Sequence, residues 1–216
     1  MMASVKETTV MANTFAPFGF QQVKGTGSAP TYEQVVGAIA YDYATPIFFC
    51  DPVKLSSGLV IQGATAEAAP IAGIFVGCKY LSTSQKRTVW SNFWPGSDTA
   101  YPVEAYYIND PNAQFLVQSS SSAVTQANVG SMIDFAPGSG NTASGVSGAY
   151  AVQSTIKAAT AAGSQSLPFR IVAISTNVPA VATGSGAVPY DPTAGNNYII
   201  VAFNASQTKY LGTVAA

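Results

Sequence analysis

Apolar residues along this chain come in short runs rather than long ones, and each run is closed within about ten residues by Gly, Pro, Asn, Asp or Ser. Runs of four to eight residues rich in Val, Ile, Phe, Tyr and Thr, bounded in this way, are the pattern of β-strands. The predicted strands are Gln34–Tyr41, Pro46–Leu55, Leu59–Gln62, Pro70–Tyr80, Lys86–Phe93, Val103–Ile108, Gln114–Ser119, Ser131–Phe135, Tyr150–Gln153, Leu167–Ser175 and Asn197–Asn204. Turn residues at Asp51-Pro52, Pro95-Gly96, Asn109-Asp110-Pro111-Asn112, Pro137-Gly138 and Asp191-Pro192 fall at their boundaries. A chain of many short strands with short connections predicts a mainly β fold, a β-barrel or sandwich core.

Within one run the alternation is informative. Ile71, Gly73, Phe75 and Gly77 would share one face, and Ala72, Ile74, Val76 and Cys78 the other. Neither face is polar, which places this strand centrally or at a subunit contact. A single short helix is predicted at Thr155–Ala162, alanine-rich and closed by Gly163. At that length it would depend on the sheet beneath it.

Residues 1–31 lack a period and read as an extended N-terminal arm, with residues 32–216 forming the β-rich domain. Two subdomains are compatible with the pattern, with a boundary near 120–130. Phe15, Phe18 and Phe20 lie within six turn-prone residues of the arm, where each ring can bury about 150–250 Å². They are predicted to lie against a neighbouring subunit, the alternative being an arm folded back on its own domain. The small-residue stretches Gly138–Gly148 and Ala180–Ala187 are expected to be mobile or interfacial loops.

Composition narrows the function. The 216 residues contain no histidine, 9 Lys+Arg and 10 Asp+Glu, for a formal charge of -1, while 48% are apolar. Without imidazole the usual Ser-His base for the run Ser119–Ser122 is missing, and that run reads as a polar connection. The absence of a basic patch sets nucleic acid aside, and no apolar stretch approaches the roughly 20 residues of a membrane helix. The N-terminus has no apolar h-region and does not read as a secretory signal. No glycine-rich stretch is followed by the Lys-Ser/Thr of a phosphate loop. The turn Asn109–Asn112 comes nearest to a calcium loop, but its proline argues for a plain turn. Cys50 and Cys78 lack metal or redox spacing and read as buried thiols, bridged only if their strands are neighbours.

Carboxylates and aromatics coincide at Asp98–Glu104, flanked by Trp90, Trp94, Tyr101, Tyr106 and Tyr107. That grouping serves best as a packing or interface cluster, with a carbohydrate-binding surface as the alternative and glycosidase chemistry as the remote case. Trp90 and Trp94 are its interface candidates. No catalytic residue, metal ligand or cofactor site is predicted.

Read in order, Ala16-Pro17-Phe18-Gly19-Phe20, Cys50-Asp51-Pro52-Val53, Pro70–Gly77, Tyr107–Asn112 with Phe115–Gln118, Ala127–Gly130, Gly145–Gly148, Phe169–Val172 and Tyr198–Asn204 resemble the decoration, or cement, proteins of tailed-bacteriophage capsids. The likeness covers most of residues 12–205. It departs at Cys50, where a small residue, usually glycine, is expected before Asp-Pro-Val. The resemblance implies a structural virion protein on the outer surface of a phage head, assembled in the host cytoplasm, not an enzyme. It further implies the major capsid protein and further copies of the chain as partners, a trimer before a dimer, with neither nucleic acid nor membrane. A tail or fibre component with a glycan-binding surface is the alternative. The 24 aromatics (Phe 11, Tyr 11, Trp 2) and few charges fit a contact-making role.

Overall fold

In the computed structural model, which describes residues 13–26, 29–30, 33–64, 71–176, 181–183, 186–188 and 191–204, the strand without a polar face becomes the longest and joins two cores. Among the described residues fourteen strands are formed: β1 (Gln21–Lys24), β2 (Val35–Ile39), β3 (Pro52–Ser56), β4 (Leu59–Gln62), β5 (Ile71–Ser82), β6 (Arg87–Ser91), β7 (Val103–Ile108), β8 (Gln114–Gln118), β9 (Met132–Ala136), β10 (Tyr150–Lys157), β11 (Phe169–Ile174), β12 (Val181–Thr183), β13 (Gly186–Val188) and β14 (Tyr198–Phe203). The protein is mainly β, as its pattern predicts.

Strands β3-β4-β2-β7-β5 close on themselves through a β3–β5 pairing, giving a five-stranded barrel with β6 attached outside β5. All its pairings are antiparallel except β2 with β4. A barrel this narrow is filled by its own side chains. Ile39, Val53, Val60, Phe75, Val103, Ala105 and Tyr107 fill it, together with Ile47 and Trp94.

The second sheet runs β1-β8-β14-β11-β9-β10, and a bridge between Ser119 and Ala151 curls β10 back toward the end of β8. Its core is built on Phe20, Phe115, Phe135, Phe169 and Phe203, with Phe20 stacked on Phe169 at 4.5 Å. Cys50, Ile71, Ile74 and Ile108 of the barrel unit join that core, so the barrel flank serves as one of its walls.

The bulge in β5 makes this double service possible. Phe75 lies opposite Tyr107 and Gly77 opposite Tyr106, leaving Val76 as the extra residue. With a second irregularity at Ala72, where β5 pairs with β3, the alternation slips twice: Ile71 and Ile74 serve the phenylalanine core, whereas Phe75, Cys78 and Tyr80 point into the barrel. The two cysteines are both buried and free, and they belong to different cores.

Four expectations change. The described part of the arm folds onto its own chain: Ala16 N donates to Gln118 Oε1 at 2.8 Å, Gln118 Nε2 donates to Thr14 O at 2.8 Å, and β1 pairs with β8. Residues 1–12 of the predicted arm lie outside the described residues. The chain passes between the sheets at 109–113 rather than near 120–130. There Asp110 accepts from Asn112 N at 2.8 Å and Thr26 N at 3.0 Å, closing the turn read as a possible calcium loop. The predicted helix at Thr155–Ala162 does not form, because β10 runs to Lys157. Thr155 Oγ1 is tied to Asp134 N and Val152 O, and the alanines beyond it are too few to nucleate a helix and form turns. Gly138–Gly148 is packed: a Cβ on Gly140 would meet the Phe48 ring at 2.2 Å, and one on Gly138 would meet Gly148 O at 1.9 Å. Of the stretch 180–187, residues 181–183 and 186–187 belong to the β12–β13 hairpin, and 180, 184 and 185 lie outside the described residues.

Candidate functional site: an exposed aromatic platform

The outer face of the barrel carries an aromatic pair set by strand register. Trp90 of β6 lies opposite Lys79 of β5, Lys79 opposite Glu104 of β7, and Gly77 opposite Tyr106. Beyond it, Val36 of β2 lies opposite Tyr106. Trp90 reaches across β5 and stacks on Tyr106, with ring centroids 5.9 Å apart and planes within 13°. Lys79 Nζ sits 5.1 Å from the Trp90 ring centroid and 3.1 Å from Glu104 Oε2. Trp90 is nonetheless 68% exposed, so its contacts leave a broad ring surface to solvent. Desolvation, and then the Glu104 carboxylate, raise the Tyr106 phenol above its ordinary pKa.

Beside the pair lies a cavity of about 390 Å³ lined by Gly77, Trp90, Tyr106, Gln34, Ser91 and Asn92. Asn92 is held there by donating its Nδ2 to Ser144 O at 3.0 Å. A second cavity of about 330 Å³ shares Gln34 and Val76 with the first and reaches Phe49 and Cys50. Burial, and then neighbouring Asp51, push the Cys50 thiol up to about 12. It is protonated at neutral pH and is no nucleophile.

The predicted interface residues separate. Trp94 and Phe20 are both fully buried. Trp94 lies edge-on to Tyr80 at 5.1 Å and donates its Nε1 hydrogen to Tyr43 O at 3.0 Å. Phe18 stacks on Tyr198 at 5.8 Å, and Phe15 meets Tyr150 edge-on at 5.0 Å while staying 45% exposed. Trp90 and Phe15 are thus the two of the five with substantial free surface. The predicted carboxylate pair is divided too, because Asp98 is held by Ser82 Oγ at 2.6 Å and Ser84 N at 3.1 Å, while Glu104 pairs with Lys79.

Ser119 is consumed structurally, donating to Asn197 Oδ1 at 2.8 Å. Among the described residues no group of three or more Cys, Asp or Glu is placed to hold a metal ion, and no helix is long and apolar enough to cross a membrane. Lys79, Gly77 and Gln34 were not singled out from the sequence. The signal available was the parity shared by Glu104 and Tyr106 on one strand and by Gly77 and Lys79 on its neighbour.

No protein-family model, no curated protein and no solved structure matches this chain.

Proposed function

We propose that this protein is a structural virion protein that binds the outer surface of a phage head and stabilises the capsid by bridging neighbouring major capsid protein subunits. One observation carries the reading beside the sequence resemblance: of the eight large apolar side chains exposed among the described residues, seven (Val35, Val36, Tyr41, Leu55, Leu81, Trp90 and Tyr101) belong to the barrel unit. Register gathers three of them at one end. Ile39 lies opposite Val103 and Lys79 opposite Glu104, so Tyr41, Tyr101 and Leu81 sit just beyond those pairs. An exposed apolar set of this kind marks a contact surface.

On a shell, each subunit touches its partners repeatedly, and every contact made raises the effective concentration for the next. Individually weak contacts then suffice to resist outward pressure from packaged DNA. A shell offers local three-fold and two-fold positions, so a closed trimer of this chain is the first proposal and a dimer the second. The test is cosedimentation with mature heads and with unexpanded precursors of the phage that encodes it. Saturable binding to mature heads, abolished by Leu81→Glu with Tyr101→Glu, is the expected result; absence of binding to either particle overturns the reading.

A further inference from the structure

We propose that the Trp90–Tyr106 platform is a binding site for a neutral hexopyranose within a glycan chain. Its cavity of about 390 Å³ falls within the roughly 300–1,000 Å³ of small-molecule sites, which combine apolar walls with a few polar groups. Here the wall is a pair of rings and the polar groups are the Gln34 and Asn92 carboxamides, suited to sugar hydroxyls because each both donates and accepts. The C–H bonds on one face of a pyranose are weakly positive and pack on the negative face of an indole. Trp90 offers that face at 68% exposure.

Charge selects among sugars. Among the described residues lining the platform the cation is Lys79, and it is matched by Glu104 at 3.1 Å, so this pair presents no net charge to attract an anionic residue. Lys79, itself anchored by Glu104, and Tyr106 hold the indole in place before any ligand arrives. Less rotamer freedom is then lost on binding, which favours a weak ligand. The bulge at Val76 sets Gly77 opposite Tyr106, and bare Gly77 forms part of the cavity lining.

This site does not rest on the capsid reading, and the two are tested apart. The chain has two tryptophans, Trp90 exposed and Trp94 fully buried, so a glycan at the platform changes the solvent-exposed part of the emission and leaves the buried part as an internal reference. The full chain is titrated with maltohexaose, cellohexaose, mannohexaose and chitohexaose, and with polygalacturonate and polysialic acid as anionic probes. Saturable binding of at least one neutral probe is expected, weakened about tenfold or more by Trp90→Ala and less by Tyr106→Ala, with neither anionic probe binding. An unchanged melting temperature and Trp94 emission in Trp90→Ala establish that the loss is local. The proposal is overturned if no neutral probe binds up to about 10 mM, if Trp90→Ala binds as well as the parent, or if the anionic probes bind equally. It is also overturned if the exposed emission shifts with protein concentration alone, which would assign the platform to a second copy of the chain.

Discussion

Asp51 is fully buried between the two cores, with no cation among its hydrogen-bond partners. Its carboxylate accepts from Phe48 N at 2.9 Å, from Gln62 Nε2 at 2.9 Å and from Ser147 Oγ, so it ties the entry to β3 both to β4 and to the 138–148 loop. Replacing it with alanine strands two buried donors, Phe48 N and Ser147 Oγ, at about 1–3 kcal/mol each. Gln62 is only half-buried and can turn to water. Against this loss stands the relief of a desolvated charge, so Asp51→Ala is expected to destabilise by about 2–4 kcal/mol. Asn keeps one oxygen for Phe48 N and Gln62, while its amide faces a serine oxygen that already accepts from Ala149 N at 2.8 Å. Asp51→Asn should therefore cost only about 1 kcal/mol. The pH dependence carries a sign. Burial raises the Asp51 pKa above its ordinary 3.8, despite hydrogen bonds that lower it. A raised carboxyl pKa stabilises fully below the unfolded value and loses that contribution as pH rises through the folded value. The penalty for Asp51→Asn should thus shrink as pH rises from about 4. Urea unfolding of the three proteins at stepped pH, followed by the emission of buried Trp94, gives these numbers. An alanine variant within about 0.5 kcal/mol of the parent, or an asparagine penalty growing with pH, would refute the reasoning.

Cys50 has a left-handed φ of 72°, the conformation that glycine adopts without cost. Cys50→Gly should be at least as stable as Cys50→Ala in thermal melts, reversing the usual order; alanine ahead by more than about 1 kcal/mol would show that the strain is absent. Gly73→Ala would put a Cβ 2.2 Å from Ile108 O where β5 and β7 close the barrel, and a loss of about 3 kcal/mol is expected in urea titrations; a near-neutral result would mean that the strands part freely. Trp94→Ala should cost about 3–5 kcal/mol and Trp90→Ala under about 1, and equal losses would contradict their burial. Removing residues 1–20 deletes Phe20 from the phenylalanine core and should lower the melting temperature steeply; an unchanged melt would refute the placement of Phe20.

The strand pattern was readable where local chemistry decides it. Every predicted strand overlaps an observed one, because period-two apolar runs and their turn residues are written within ten residues of chain. What escaped depends on distance or on a single irregular residue. Gln21–Lys24 looks polar since an edge strand buries little, and only its pairing with β8 makes it a strand. Trp90 and Trp94 stand four apart, which in a continuous strand would put them on one face. The chain leaves β6 at Ser91, and Trp94 pairs with Ile47 instead, so one indole enters the barrel while the other stays outside. Alternation through Ile71–Cys78 was visible, but not the bulge that slips it, and the slip decides which core each side chain enters. Closure of the barrel needs β2 parallel to β4 and β3 against β5, pairings between segments that no local pattern links.

The fate of the carboxylates ties fold to function more closely than composition could. Asp51 binds the 138–148 loop, Asp98 staples the β5–β6 turn, and Asp110 closes the turn between the sheets. Asp191 accepts from Thr193 N and its own backbone holds Asn13, and Glu104 is matched by Lys79. The oxygens of Asp51, Asp98, Asp110 and Asp191 each accept at least one backbone N–H, so these four carboxylates hold loops and turns in place. On the barrel, aromatic and aliphatic side chains are arranged in two ways: an apolar end at Tyr41, Leu81 and Tyr101 suited to broad contact, and a ring pair with an open cavity suited to a single sugar. Under the proposed function the first of these surfaces holds the shell while the second remains available beside it.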